Sequence, residues 1–179
     1  QSIGLLDVRL DNTQPAAWRS GTRTPGWTNA VVTENPPPFV DAVEHTPFAP
    51  HSGDTIVVRA HVTDAEGVGS VRLWLQQVLP GSYIRITESR YWTTWTPVAM
   101  QPAGNDMYVA QVPESLRRNR TLIRYRVEAV DNAGHSVTVP YADDPQPNFA
   151  LYIYDGAPPW RGALLPNTGG SEGRNRDYD

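Results

Sequence analysis

The sequence predicts an all-β fold, an antiparallel β-sandwich with extended arms at its N- and C-termini. Composition is the first observation behind this prediction, because 17 Pro, 14 Gly and a hydrophobic content of 39% favour short strands joined by turns over helices. The second is a stretch of strict apolar–polar alternation between residues 122 and 140. The third is the spacing of turn signals, which recur at intervals of about 8–12 residues, as they do in sandwiches.

The segment Leu122–Pro140 is the clearest strand signal in the chain. It alternates up to Asp131, turns through residues 131–134, where Gly134 can adopt a positive φ, and resumes with Val137. Period-2 alternation predicts a hairpin with one buried face and one face open to solvent. The inward set is Ile123, Tyr125, Val127 and Ala129, and the outward set is Arg124, Arg126 and Glu128.

The chain divides into three parts by composition. Residues 1–38 are expected to form an extended arm with one strand, Ile3–Leu10, ending in the stiff Pro-rich linker Asn35–Pro38. Residues 39–155 are expected to form the sandwich. Residues 156–179 have the polar composition of an extended C-terminal tail, a kind of segment that is ordered when it lies along a partner.

Within residues 39–155 the apolar patterning predicts a series of short strands. The connector Pro113–Arg120 is long enough for no more than one helical turn. The predicted strands are Phe39–Glu44, Thr55–Thr63, the segment that carries Val71, Leu73 and Leu75, Tyr83–Thr87, Tyr91–Met100, Met107–Val112, the hairpin of residues 122–140, and Asn148–Tyr154.

Composition also argues against several classes of function. The chain has no cysteine, which rules out disulfides, thiolate nucleophiles and zinc–thiolate centres. Its net charge of −4 argues against a nucleic-acid partner, although all 15 basic residues are Arg. Because no apolar run approaches the roughly 20 residues that span a bilayer, no transmembrane segment is predicted. Nucleophile-elbow, phosphate-loop and dinucleotide motifs are missing from the sequence, and we expect a protein that is not an enzyme.

Three groups of motifs suggest a family. They are SGDTIVVRAHVTDAEGVGSVRLWL from Ser52, WTPVAM from Trp95 with MYVAQVP from Met107, and IRYRVEAVDNAGHS from Ile123. On these motifs residues 46–139 resemble the immunoglobulin-like and fibronectin type III-like modules of bacterial secreted multidomain proteins. The resemblance implies an immunoglobulin-like sandwich in an extracytoplasmic setting, whether periplasmic, cell-surface or secreted. It also implies adhesion, spacing or presentation in place of catalysis.

Two further details refine the resemblance. The segment Arg23–Asn29, RTPGWTN, is similar to the closing segment of a lamin-tail-like domain. Fibronectin modules carry a tyrosine corner near the start of the sixth strand, whereas this chain has Ile123 at that position and its aromatic residue at Tyr125. The broader immunoglobulin-like class therefore describes the chain better than the standard fibronectin family. Because the sequence starts at Gln1, we expect a removed leader or a longer parent protein.

One candidate site is a calcium site in two loops that this fold brings to the same end of the sandwich. Asp64 and Glu66 follow the second strand of the sandwich, and Asp131 and Asn132 follow the penultimate one. Calcium prefers such oxygen-rich loops. The alternative is that both loops are ordinary turns in which Asp and Asn hydrogen-bond their own backbone.

A second candidate is an aromatic platform. Trp74, Tyr83, Tyr91, Trp92 and Trp95 lie in neighbouring predicted strands, and some must point away from the core. Exposed aromatic rings could contact a protein partner or stack on carbohydrate. The alternative is that these rings fill the core and pair across strands.

A third candidate is a basic surface. Arg side chains that could grip acidic side chains, phosphate or sulfate are concentrated between residues 117 and 126. The alternative is a solvated face with scattered salt bridges. The residues are Arg117, Arg118, Arg120, Arg124 and Arg126.

The remaining signals are weaker. His45, His51, His61 and His135 are scattered without the spacing of metal ligands, so no histidine metal site is expected. Residues 165–169, LPNTG, match a sortase motif but are followed by a polar sequence in place of an apolar segment, which suggests a chance match.

These observations leave three hypotheses for function. The first is a non-catalytic protein-interaction or spacer module of an extracytoplasmic protein. The second is an accessory structural subunit of a larger envelope or membrane-associated complex, bound through its tails. The third is a carbohydrate-binding module that uses exposed Trp and Tyr. Apart from calcium, no cofactor is expected.

Overall fold

A computed structural model describes residues 2–6, 12, 18–28, 31–32, 35–142 and 144–156. In these ranges the chain is almost entirely antiparallel β-structure, which confirms the predicted all-β class. A short helix, α1, spans Ser89–Thr93, and a 3-10 turn spans Glu114–Leu116. The strands are β1 Ser2–Leu5, β2 Trp18–Gly21, β3 Phe39–Thr46, β4 Val57–Thr63, β5 Val68–Val78, β6 Thr96–Ala99, β7 Gln101–Pro102, β8 Met107–Gln111, β9 Thr121–Asp131, β10 Ser136–Val139 and β11 Phe149–Ile153.

The strands from β3 onward form two antiparallel sheets. The first sheet has the order β3-β4-β8-β7, and the second has the order β10-β9-β5-β6. Strand β11 pairs with the first half of β9, while β10 pairs with its second half. This arrangement reproduces immunoglobulin-type strand order, in which A, B, E and D share one sheet and C, F and G share the other. The fold is an immunoglobulin-like antiparallel sandwich.

The core lies between the facing sides of the two sheets. Ile56, Val58 and Val62 project into it from the first sheet, and Leu73 and Val127 project from the second; all are essentially fully buried. Burying a side chain of this size stabilises the fold by about 1.5–3 kcal/mol. The inward alternation predicted for β9 is therefore confirmed.

Two predicted strands are wrong. Residues 83–87 are not a strand, and the predicted strand Tyr91–Met100 is instead helix α1 followed by β6. The reason is that the chain leaves the sheet at the end of β5 and crosses the outer face of the second sheet. Glu88 accepts a hydrogen bond from the backbone N–H of Arg85 at 2.9 Å and one from Arg90 Nε at 2.6 Å, which favours a turn over an extended strand.

The N-terminal arm also differs from its prediction. The strand predicted over Ile3–Leu10 is described only as β1, Ser2–Leu5, because residues 7–10 lie outside the described ranges. Strand β1 forms a two-stranded hairpin with β2. Farther along, Pro36 and Pro38 of the linker are buried. The linker therefore packs on the protein before β3 begins.

A second, smaller apolar cluster lies outside the sandwich core. It is built on Val78, Ile84 and Tyr91, with Trp95 and Leu122 packed against it. Val78 and Leu122 face each other across β5 and β9, on the side of the second sheet that alternation predicts to be open to solvent. Residues 79–95, called here the covering segment, therefore bury part of that side.

A tyrosine from β9 meets a histidine from β3 near the edge of the main core. The hydroxyl of Tyr125 shares a hydrogen bond of 2.9 Å with Nδ1 of His45, and the two rings are edge to face. Phe149 packs against the same tyrosine with ring centroids 5.3 Å apart. Burial raises the pKa of Tyr125 to about 12.

This environment predicts a loss of stability at alkaline pH. In the unfolded chain a tyrosine ionises near pH 10, whereas Tyr125 keeps its proton in the folded protein up to a pKa of about 12. Between these values the folded state binds more protons than the unfolded state, so the free energy of unfolding falls as pH rises. Urea unfolding at pH 9, 10 and 11 should show a shallower decline for Tyr125→Phe than for the wild type.

The matched control is Tyr152→Phe, because the phenol of Tyr152 is half exposed. This variant should decline as steeply as the wild type. Equal slopes for the wild type and Tyr125→Phe would contradict the prediction.

Candidate functional site

The outer face of the second sheet carries several of the residues that the sequence marks as site candidates. In this face the side chains of β5 and β9 form cross-strand rows, and each row joins one residue of β5 to one of β9. The rows are Arg72 with Glu128, Trp74 with Arg126, Gln76 with Arg124, and Val78 with Leu122.

Arg124 is buried, with 4% of its surface exposed, and the prediction that it faces solvent is wrong. Its Nη1 donates to Oε1 of Gln76 at 3.0 Å, and its Nη2 donates to the carbonyl of Ile84 at 2.8 Å. The guanidinium also lies 5.0 Å from the ring centroid of Tyr83 and 5.2 Å from that of Tyr91. The covering segment thus supplies a carbonyl and two aromatic faces in place of water.

Arg126 is half-buried, and aromatic rings surround its guanidinium as they do that of Arg124. Its guanidinium carbon lies 4.2 Å from the ring centroid of Trp95, with Tyr91 and Trp92 at 5.1 and 5.0 Å. Its Nε donates to the carbonyl of Pro147 at 2.6 Å. The prediction that Arg126 extends an open docking face is therefore also wrong, since three aromatic rings and the carbonyl of Pro147 enclose its guanidinium.

The three tryptophans proposed as a platform do not form an exposed flat strip. Trp92 is 46% exposed, while Trp74 and Trp95 are half-buried. Trp74 donates its indole N–H to Glu128 Oε2 at 3.0 Å, and Trp95 donates its own to the carbonyl of Tyr91 at 2.5 Å. These rings serve the packing of the covering segment, and sugar stacking on them gains no support.

The basic run does not form one surface either. Arg117 is half-buried, and its Nη1 donates to the carbonyl of Asp54. Arg118 and Arg120 are exposed, whereas Arg124 and Arg126 are enclosed as described above. Of the predicted basic face, only Arg118 and Arg120 are exposed.

The start of the covering segment helps to line a groove of about 250 Å³. Two exposed tyrosines, Tyr83 at 62% and Tyr152 at 49%, lie along it. Leu79 is 40% exposed there, and the exposed Arg120 also lines the groove. The complete lining, called here the tyrosine groove, is Val78, Leu79, Pro80, Gly81, Tyr83, Arg120, Leu122 and Tyr152.

Sequence reasoning missed Tyr152 and Leu79 as surface residues of interest. The signal for Tyr152 is present in β11, where buried Leu151 and Ile153 flank it, so alternation points its ring outward. Its position beside Leu122 follows only from the pairing of β11 with β9. Nothing local in the sequence indicates that pairing.

The two loops proposed for calcium do meet, as predicted. The backbone N–H of Asn132 donates to the carbonyl of Gly67 at 3.1 Å, and its side-chain amide donates to the carbonyl of Glu66 at 3.1 Å. Asp64 Oδ1 accepts from the backbone N–H of Glu66 at 2.9 Å. In the described ranges no group of three or more Asp, Glu or His is placed to hold a metal ion.

Asp131 is occupied by its own turn. Its Oδ1 accepts from the N–H groups of Ala133 and His135 at 2.8 and 2.7 Å. Its Oδ2 lies 2.9 Å from Nδ1 of His135 and accepts from Asn35 Nδ2 at 3.0 Å. Burial acts to raise the pKa of Asp131, but the hydrogen bonds from His135 and Ala133 outweigh it and hold that pKa below its usual value. The arrangement is that of a turn tied to the linker, and it lends no support to calcium.

A glycine substitution tests the docking of these two loops. Gly67 has φ +98°, and a Cβ placed there would lie 2.7 Å from Nδ2 of Asn132. Gly134 has a similar φ of +94° but open space around it. We expect Gly134→Ala to cost about 1–2 kcal/mol from backbone strain alone, and Gly67→Ala to cost more because Asn132 must also move. Chemical unfolding of the two variants measures the difference, and equal costs would contradict loop docking.

The histidines have separate surroundings. His51 lies 3.3 Å from Asp54, His61 lies 2.7 Å from Asp41, and His135 pairs with Asp131 as described. His45 contacts Tyr125 instead. Each imidazole has its own partner.

Comparison with protein-family models and with curated proteins gives no match to this chain. The resemblance to immunoglobulin-like and fibronectin type III-like modules therefore rests on strand order and motifs. No helix in the described residues is long and apolar enough to cross a membrane. The C-terminal tail and the LPNTG match lie outside the described residues, apart from residue 156.

Proposed function

We propose that this chain is a non-catalytic protein-interaction module of an extracytoplasmic protein, and that it binds its partner at the tyrosine groove. The observation that carries the proposal is the grouping of exposed Leu79, Tyr83 and Tyr152 around one concave surface. Tyrosine is enriched in protein interfaces because its ring offers large contact area and its hydroxyl a hydrogen bond. The surrounding packing also supports the proposal, since Arg124 holds the ring of Tyr83 from beneath.

The extracytoplasmic location is part of the same proposal. Its support is the resemblance of residues 46–139 to modules of secreted proteins, together with a cysteine-free chain that has no thiol to oxidise.

Site-directed photo-crosslinking in intact producing cells tests both parts. A photoreactive phenylalanine at position 83 should give a discrete protein adduct, and the same residue at Arg59 should not, because Arg59 is exposed on the opposite sheet. Adding Tyr152→Ala should weaken the affinity for the partner identified in this way about 30-fold, as expected for an interface hot spot of about 2 kcal/mol.

Identical adducts at positions 83 and 59 would contradict a binding role for the tyrosine groove. Adducts that form only with cytoplasmic proteins would contradict the proposed location.

A second candidate is an accessory subunit of an envelope or membrane-associated complex that is held through its arms. The N-terminal arm favours it, because Ile3 and Trp27 are 74% and 85% exposed. An isolated two-stranded hairpin such as β1–β2 is marginally stable without a neighbour to cover it. Photo-crosslinking from Trp27 separates this candidate from the first, since only arm-mediated assembly predicts an adduct there.

A further inference from the structure

The tyrosine groove has a charge that its walls do not balance. Arg120 is its one ionised lining residue, and the lining contains no carboxylate. In the described part of the chain no acidic side chain forms an ion pair with Arg120. The groove is therefore locally positive in a protein whose net charge is −4.

Backbone contacts hold Arg120 at the edge of the groove. Arg120 has φ +60°, and its N–H donates to the carbonyl of Ile153 at 2.7 Å. Ile153 directly follows Tyr152 in β11, and Arg120 and Tyr152 both line the groove. An apolar wall and a guanidinium are thus presented together.

We propose that the tyrosine groove binds a protein segment in which an aromatic or aliphatic side chain adjoins an Asp or Glu. The inference rests on the proposed function and adds the chemistry of the partner. The apolar side chain packs against Leu79, Tyr83 and Leu122, while the carboxylate meets the guanidinium of Arg120. Charge-assisted hydrogen bonds of this kind are shorter and stronger than neutral ones.

A peptide fits the lining better than an acidic sugar. Of the lining residues only Tyr83, Tyr152 and Arg120 carry polar side-chain groups, and the rest are aliphatic, Pro or Gly. A sugar ring presents hydroxyls around its whole edge, and each one left unpaired on burial costs free energy. An apolar side chain carries no such penalty.

Selection from a displayed random peptide library tests the inference, with the full chain as bait. The wild type should enrich peptides that have Asp or Glu next to an aromatic or aliphatic residue. Against a selected peptide, Arg120→Gln should weaken the affinity at least about tenfold, as expected from losing a hydrogen bond to a charged group. Arg120→Glu should fail to bind these peptides and should select Lys- or Arg-containing ones.

The matched control is Arg118→Glu, which makes the same charge change at an exposed residue outside the groove. It should bind the selected peptides as the wild type does. If Arg118→Glu weakens binding as much as Arg120→Glu, general electrostatic attraction explains the selection and the inference is overturned.

Other outcomes separate the inference from the proposed function. If the selected peptides lack acidic residues and bind Arg120→Glu unchanged but not Tyr83→Ala, the groove binds protein and the carboxylate inference fails. If no peptide is enriched while polygalacturonate binds and Arg120→Glu abolishes that binding, the groove is a sugar site and both proposals fail. If neither ligand binds, both also fail.

Discussion

Tyr91→Ala is expected to lower the free energy of unfolding by about 3–5 kcal/mol, the range for removing a fully buried aromatic side chain. Tyr91 is 0% exposed and is the largest member of the apolar cluster under the covering segment. Its ring contacts both Arg124 and Arg126, and its hydroxyl donates to Oδ1 of Asn148 at 2.6 Å. The loss therefore combines a cavity with weaker aromatic stabilisation of two cations.

Tyr91→Phe is the matched control for that result. It keeps the ring and removes only the hydrogen bond to Asn148, so it should cost about 1 kcal/mol. Urea unfolding followed by fluorescence of the neighbouring tryptophans measures both variants. Equal small losses would mean that the ring of Tyr91 is not packed as described.

Arg124→Ala is expected to cost a comparable amount, about 3–5 kcal/mol, because it empties a buried polar site and leaves Oε1 of Gln76 without its donor. Oε1 of Gln76 accepts from Arg124, while its Nε2 donates to the carbonyl of Tyr91 at 3.1 Å and to Thr94 Oγ1 at 2.8 Å. No carboxylate hydrogen-bonds Arg124 in the described residues, so its cost of burial is offset by neutral groups and aromatic faces.

A double substitution distinguishes a network from a simple loss of packing. Gln76→Leu alone leaves the guanidinium of Arg124 short of an acceptor and should cost about 1–3 kcal/mol. Gln76→Leu combined with Arg124→Met replaces both polar groups by apolar ones of similar size, which can be nearly neutral. The double variant should therefore be more stable than Gln76→Leu. Strictly additive losses in chemical unfolding would contradict the network.

The sandwich could be predicted from the sequence because its signals are local. Alternation in β9 assigns Val127 and Ile123 to the core, and the turn at residues 131–134 sets the hairpin, both as observed. The meeting of the Asp64 and Asp131 loops follows from the order of strands. These features depend on neighbours in sequence or on fold topology alone.

The outer face could not be predicted in the same way. Alternation separates two faces of a strand but does not say what covers each face, and the hydrogen bond from Arg124 to Ile84 joins residues 40 positions apart. The sequence did contain a signal for this cover. Several aromatic residues lie between Tyr83 and Trp95, and β9 carries two Arg side chains, Arg124 and Arg126, on which such rings can stack. Cation–π contact explains why both Arg can lie under an apolar segment.

The central claim is that the covering segment buries the part of the outer face around Gln76 and Arg124 and leaves the adjoining tyrosine groove accessible. The chain has no cysteine, so a single introduced thiol reports on its own site. Ile84→Cys places that thiol on the inner side of the segment, where Ile84 is 7% exposed and lies outside the lining of the tyrosine groove, and Ile86→Cys places it on the exposed side of the segment.

The direct measurement is the rate at which each thiol reacts with a water-soluble disulfide reagent in the native protein. Our account predicts reaction at Ile84→Cys at least about a hundredfold slower than at Ile86→Cys, because local opening must come first. Adding Tyr91→Ala should bring the two rates together. Equal reaction rates for the two single-cysteine variants without Tyr91→Ala would contradict the claim, because the covering segment would then not shield the outer face from solvent.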